Sequence, residues 1–490
     1  MTDSDREQAV LDGAPKDLLI GGRWRAAASG RTVPVEDPAT GKALCEVADA
    51  GPEDGMDALA AATAAQDGFA AMPPRERGEI LRRSYEMITE RLDDLALLMT
   101  CEMGKPLAES RAEITYAAEF FRWFAEESVR IDGGYAVSPN GANRFLVMKQ
   151  PVGVCLLITP WNFPLAMGTR KIGPAVAAGC AMVIKPAGQT PLSMLALGSI
   201  LQEAGLPDGV LNIITTSDAG GVMEPLIRDG RARKISFTGS TAVGRKLLEQ
   251  ASEKVLRTSM ELGGNASFLV FDDADLDAAV DGALLAKMRN MGEACTAANR
   301  FLVQRSVAPA FAAKLAERMG ALQVGRGTED GVQVGPLIDA KGLAKVVDLV
   351  SDAVAHGASV QVGGEPVDGP GYFYRPTVLT DVPQQSRLNH EEIFGPVAPI
   401  SVFDDEDEAL AAANATEFGL VNYVFTDDLN RALRVCEGLE SGMVGLNTGL
   451  VSNPAAPFGG VKQSGLGREG GSVGIEEFLE IKYVAVGVPR

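Results

Sequence analysis

Histidine is almost missing. His356 and His390 are the only two in 490 residues, which excludes an H-E-x-x-H metal site and leaves a Ser-His-Asp triad just those two to draw on. His390 stands among charges in RLNHEEIF and reads as a solvated surface side chain. The six cysteines, at 45, 101, 155, 180, 295 and 436, form no C-x-x-C, so zinc-knuckle and thioredoxin-type motifs are absent. Such sparse thiols suit a reducing compartment. Positive charge is in deficit. Lys and Arg number 45 against 65 Asp and Glu, and the net −20 repels phosphate backbones, so nucleic acid is not an expected partner. The plain meaning of that charge is a soluble surface, and an anionic substrate would need local Arg or Lys. Long apolar runs are lacking: the most apolar stretch, 172–184, is too short to span a bilayer. The opening MTDSDREQAV is acidic and has no apolar h-region, so no signal peptide is expected, and the expected location is the cytoplasm. No internal repeat or low-complexity tract stands out.

What is present is an ordinary globular composition, 46% apolar and 22% charged. The length points to two or three domains, or one domain with insertions. Residues 20–50 carry Gly, Arg and Pro with short β-like runs. Residues 53–130 read as helices: 58–71 is Ala-rich, and 77–91 and 112–130 repeat apolar residues at spacings of three and four. The pattern then becomes β-α alternation. Residues 152–159 (VGVCLLIT) form a continuous apolar run between prolines, as for a strand buried on both faces. Helix-like 165–178, strand 181–185, helix 190–204, strand 210–214, strand 234–238 and helix 240–250 follow. This alternation predicts a parallel, doubly wound sheet, which binds ligands at the C-terminal ends of its strands. After Gly263-Gly264 a weaker alternation through 301–303, 311–319 and 346–354 predicts a second α/β domain. The β-rich stretches 145–150 and 480–488 lie outside both blocks. Isolated strands of that kind pair elsewhere in the chain or with another subunit.

The G-x-G-x-x-G dinucleotide fingerprint follows no strand of the first α/β block. Its nearest substitute, Gly239-Ser-Thr-Ala-Val-Gly244, is either a helix start capped by Ser240 or a turn that approaches a nicotinamide or phosphate. Lys185 ends a strand where nucleotides bind in such sheets, or is simply the strand leaving the core. Pro160-Trp161-Asn162-Phe163-Pro164 is a rigid turn after a strand, and it would aim Asn162, whose amide suits an oxyanion. The alternative is a stiff loop with a packed Trp. Glu261, before Gly263-Gly264, is a candidate general base or a solvated strand end. Cys295, in GEACTAANR, is flanked by small residues that leave room at sulfur. A lone cysteine is commonly a buried small hydrophobe, but Arg289 nearby could favour its thiolate.

In order and spacing these motifs resemble the aldehyde dehydrogenase superfamily. PWNFP at 160–164, IKPA at 184–187, FTGS at 237–240, ELGGN at 261–265, Cys295 and EEIFGPV at 391–397 all match, and Glu261 and Cys295 are 34 residues apart, as in that family. LGGNASFLVFDDADLD, GPLIDAKGLAKV, NTGLVSNPAAPFGGVKQSGLGREG and SVGIEEFLEIKY are similar to its succinate-semialdehyde dehydrogenase branch. The resemblance implies a fold of two doubly wound α/β domains plus a β-arm: 1–131 and 152–262 binding cofactor, 263–463 catalytic, 132–151 and 464–490 oligomeric. It implies Cys295 as nucleophile, Glu261 as base and Asn162, with the Cys295 backbone N–H, for the oxyanion. It places Thr159, Trp161, Lys185, Gly188, Gly239, Ser240, Leu262, Glu392 and Phe394 on the cofactor, with Glu392 on the nicotinamide ribose. Arg170, Arg289 and Ser452 would hold a substrate carboxylate, which arginine suits by its bidentate fork.

Two departures qualify this. Many NAD-preferring relatives have Glu where this chain has Gly188. Such a carboxylate bonds the ribose and repels a 2′-phosphate, so NADP is admitted and slightly favoured over NAD. Some relatives carry a second cysteine two places after the nucleophile. Ala297 stands there, so a disulfide between those neighbours is unavailable. The implied reaction is oxidation of succinate semialdehyde by a homodimer or homotetramer, with no metal, membrane or nucleic acid. The alternatives are glutarate semialdehyde, another carboxylated or aliphatic aldehyde, or a non-catalytic binding protein of this fold.

Overall fold

The computed structural model describes residues 3–487. The parts of the expected domain and arm boundaries at 1–2 and 488–490 lie outside the described residues. Helices Pro52–Ala70, Pro74–Glu90, Leu92–Met103 and Leu107–Glu127 fill the region expected to be helical. Three of them bury one face and Leu92–Met103 is buried all round from Leu95 onward; Ile80, Leu81, Ile88, Phe121 and Phe124 pack into the largest core.

The alternating block forms an eight-stranded sheet. Its order is Gly465–Leu466, Arg257–Glu261, Lys234–Thr238, Cys155–Ile158, Met182–Lys185, Leu211–Ile213, Leu18–Ile20, Arg23–Arg25. The five central strands are parallel and buried throughout apart from the start of Arg257–Glu261. Burial on both faces explains their unbroken apolar runs. The strand expected at 152–159 is shorter, because Gly153 at φ 111° breaks the chain before it. The helix expected at 240–250 runs Thr241–Ser252, with Ser240 as its cap.

Past Gly264 the chain builds a seven-stranded sheet: Ser359–Val362, Thr377–Thr380, Val397–Phe403, Ala298–Gln304, Ala266–Val270, Val421–Phe425, Met443–Leu446. All neighbours are parallel except the first pair. The two isolated β stretches find each other. Leu479–Gly487 pairs antiparallel with Asn143–Pro151, and Gly134–Val137 completes a three-stranded arm. Gly465–Leu466, within the stretch expected to belong to the arm, instead joins the first sheet beside Arg257–Glu261. Among the described residues no helix is long and apolar enough to cross a membrane.

Candidate active site

Parallel pairing brings four strand ends to one edge. Lys185 stands beside Ile158, Phe237 beside Ile158, and Glu261 beside Thr238. The second sheet meets this edge with the residues that enter its strands: Cys295 lies before Ala298–Gln304, and Glu392 and Phe394 before Val397–Phe403. Between the two lies a cavity of about 340 Å³ that Trp161, Asn162, Gly239, Ser240, Glu261, Leu262, Cys295, Glu392 and Phe394 line together. A larger cavity of about 810 Å³ continues from it along Thr159, Lys185 and Gly188. A third, of about 620 Å³, is lined by Phe163, Arg289 and Ser452.

The loop that presents Cys295 is strained. Asn290, Met291 and Gly292 occupy the left-handed region in succession, at φ 53°, 54° and 78°. The two side-chain-bearing residues cost about 1–3 kcal/mol each there. At Gly292 a Cβ would lie 2.2 Å from the Gly395 carbonyl, so glycine is required. Hydrogen bonds hold the turn: Asn290 Nδ2 donates to the Asn162 and Glu293 carbonyls at 3.0 and 2.9 Å. Gly264 passes so close beneath that a Cβ there would meet the Cys295 carbonyl at 2.6 Å.

Asn162 is held from two sides. Its Nδ2 donates to the Glu293 carbonyl at 3.0 Å. Its own carbonyl accepts from Lys105 Nζ at 2.8 Å. Lys105 pairs with Glu113 at 2.6 Å, both side chains 1% exposed. The other Glu113 oxygen accepts the Leu165 and Ala166 N–H groups at the start of the next helix. This buried clamp on the PWNFP loop has no signature in the sequence.

Burial governs the charges. It pushes the half-buried Cys295 thiol up to about 12; Arg170 and Arg289 pull down, while Glu392 and Glu261 push further up. The thiolate that Arg289 was expected to favour is therefore not the resting state. Without cofactor, iodoacetamide should modify Cys295 about tenfold faster per pH unit, because the thiolate fraction grows that way below the pKa. Mass spectrometry of the Cys295 peptide reads this, and a plateau below pH 8 would contradict it. Glu261 is 4% exposed, and its Oε2 has no hydrogen-bond partner. Burial, then the nearby Glu469 carboxylate, hold it well above the carboxylate range. For Glu469 burial acts upward too, but Lys171 and Arg170 outweigh it and keep it ionised.

That network changes the place of Arg170. Expected on the substrate, it is 2% exposed, sits 2.9 Å from Glu469 Oε2 and stacks on Phe458, and it lines none of the three cavities. Glu469 lies 298 positions from Lys171, too far for spacing to suggest the contact. Arg289 differs. Its Nη1 donates to Ser452 Oγ at 3.3 Å, and its guanidinium lies 4.7 Å from the Phe163 ring centre. Among the described residues it forms no salt bridge.

On the other side the site fits a dinucleotide. Thr159 Oγ1 and Thr238 Oγ1 are buried without partners, and both residues line the large cavity. Lys185, lowered to about 8 by burial, spends Nζ on the Pro186 carbonyl and can turn to an anion. Trp161 and Phe394 meet edge to face at 5.3 Å. Glu392 Oε1 accepts the Gly264 N–H at 3.1 Å, which leaves Oε2 for a ribose hydroxyl. A Cβ at Gly188 would find its nearest neighbour 3.8 Å away, so nothing there crowds a phosphate.

Sequence reasoning missed Glu293 as well. It stands two residues before Cys295 and lines the same cavity, with Oε1 on the Ile338 N–H and Oε2 unpartnered.

Comparison with known proteins adds the following. The family described as "Aldehyde dehydrogenase family" matches residues 24–484. A succinate-semialdehyde dehydrogenase of Paenarthrobacter nicotinovorans is 59% identical over 446 residues, 91% of this chain and 99% of that protein. A glutarate-semialdehyde dehydrogenase of Pseudomonas putida is 51% identical over 473 residues, 96% of this chain and 98% of that protein. The crystal structure of an E. coli NADP-dependent enzyme superposes with a TM-score of 0.96 at 49% identity over 100% of both chains.

Proposed function

The chain belongs to the aldehyde dehydrogenase family, and from that premise we propose that it oxidises succinate semialdehyde to succinate through a thioester on Cys295. The observation that carries the substrate is Arg289: a cation with no salt bridge among the described residues, hydrogen-bonded to Ser452, stacked on Phe163 in a cavity, and close enough to Cys295 for its charge to act on the thiol. A carboxylate supplies the missing counter-charge and accepts from both donors. Arg170 adds positive potential from behind, fixed in place by Glu469.

In this reading Cys295 Sγ adds to the aldehyde carbon, and Asn162 with the Cys295 N–H holds the oxyanion. When bound, the nicotinamide supplies the hydride acceptor. Glu261 takes the proton of the water that hydrolyses the thioester. Thr159, Trp161, Lys185, Gly188, Gly239, Ser240, Leu262, Glu392 and Phe394 would hold the cofactor. Gly188 leaves room for a 2′-phosphate and places no carboxylate against it, which favours NADP over NAD. The first sheet with its helices is the cofactor half and the second sheet the catalytic half. The arm exposes Tyr135 (71%) and Ile481 (68%), apolar surface that suits a homodimer or dimer of dimers. Six free cysteines suit the cytoplasm.

The test is initial rates with succinate semialdehyde, glutarate semialdehyde and hexanal, each with NADP and NAD. One methylene separates the first two by only about 1–3 kcal/mol, so both are compared directly. Arg289→Ala should raise KM for succinate semialdehyde about 100-fold relative to hexanal, as loss of a charge-assisted bidentate contact does. Equal changes for the two would remove the carboxylate from the substrate.

A further inference from the structure

We infer that Tyr116 is a third ligand of the substrate's anionic end, its phenol donating beside Arg289 and Ser452. This rests on the carboxylated-aldehyde reading above and completes its receptor. Tyr116 projects from helix Leu107–Glu127 into the cavity that Arg289, Ser452 and Phe163 line. Phe120 fixes its ring edge to face at 4.9 Å and 73°. The Arg289 guanidinium lies 5.9 Å from the ring centre. Its hydroxyl oxygen is buried close to Ser452 and makes no well-formed hydrogen bond. A buried hydroxyl left unpaired costs free energy, and in a cavity the pairing comes from a ligand.

The chemistry of the wall fits an acceptor and not a donor. Glu109 and Glu113 also face this cavity, but both are engaged: Glu109 Oε2 accepts the Asn290 N–H, and Glu113 takes Lys105, Leu165 and Ala166. Ser452 Oγ already accepts from Arg289. An ionised carboxylate has about four lone-pair sites. Arg289 and Ser452 leave room for another donor, which Tyr116 supplies from the facing helix. Burial raises the phenol's pKa, and although Arg170, Arg289 and the nearby Ser452 hydroxyl pull it down, it stays a protonated donor at neutral pH. The rings of Tyr116 and Phe163 flank the space a short aliphatic chain would cross.

Tyr116→Phe removes the donor and keeps the ring. The ratio of KM for succinate semialdehyde to KM for hexanal should rise about tenfold, as for one hydrogen bond to a charged group. The Ki of succinate as a competitive inhibitor should rise by the same factor. In the double variant with Arg289→Ala the loss should fall short of the product of the single losses, because both act on one group. Since the hydroxyl is unpaired, Tm should hold or rise. A fall in Tm would mean a structural partner and would overturn the inference. So would an unchanged ratio in Tyr116→Phe while Arg289→Ala still raises it, and the carboxylate reading would then stand without Tyr116. No change in either variant would overturn that reading itself.

Discussion

Cys295→Ala should lower turnover by about 10⁴-fold or more while cofactor affinity stays within a few-fold of the wild type. The size follows from the role. A nucleophile is not a contributor to one barrier but the atom on which both half-reactions occur, so nothing on either wall substitutes for it. The separation from binding follows from geometry. The large cavity along Thr159, Lys185 and Gly188 does not include Cys295, and Glu392 is held by the Gly264 N–H. Fluorescence titration with NADP beside steady-state assays reads both quantities. Residual turnover within tenfold of wild type would dismiss the thioester. Loss of cofactor binding would mean that the strained Asn290–Met291–Gly292 turn had collapsed and that the variant reports on folding instead.

Glu261→Gln should slow steady-state oxidation by about 10²–10⁴-fold, the range for a general base. It should leave the first turnover fast, so that one equivalent of reduced cofactor appears as a burst before the rate falls. The acyl-enzyme then accumulates and is visible by mass as substrate attached at Cys295. The pH dependence carries the sign of the shift. Burial and Glu469 raise the Glu261 pKa, and a base acts only when deprotonated, so the wild-type rate climbs with pH above the ordinary carboxylate range. The variant should lose that climb. A burst followed by an undiminished rate would move the water-activating role to another carboxylate, and Glu293, with its unpartnered Oε2 in the same cavity, is the one placed to take it.

Much of this was legible in the chain. The central strands announce themselves as apolar runs because burial on both faces removes the polar alternate positions. The arm strands stood apart because they belong to neither sheet. Cys295, Glu261, Asn162 and Glu392 were legible as motifs in order, and the structure gathers them at one seam. What the sequence withheld is set by tertiary contact. Arg289 near Cys295 in sequence suggested a thiolate, but the solvent removed by packing outweighs one nearby cation. Arg170 was expected on the substrate by resemblance, and its carboxylate partner, Glu469, is distant in sequence and brought beside it only by folding. Lys105 and Glu113 look like ordinary surface charges of a helical region, and Tyr116 like one more apolar position of an amphipathic helix.

The short strand Gly465–Leu466 ties Glu261 to the order in which the chain is made. Ser464 bonds the Gly263 carbonyl across 201 positions, Gly465 pairs with Glu261, and Glu469 follows four residues later. A chain emerging from the ribosome exposes Cys295, Asn162 and Glu261 long before any of these arrive. Until then Glu261 has only the strand Lys234–Thr238 beside it and lacks the Glu469 carboxylate that adds to its raised pKa. Contacts of such long range also form slowly. The Cys295 thiol is therefore carried through synthesis in an unfinished site, which is complete only when the last stitch is in.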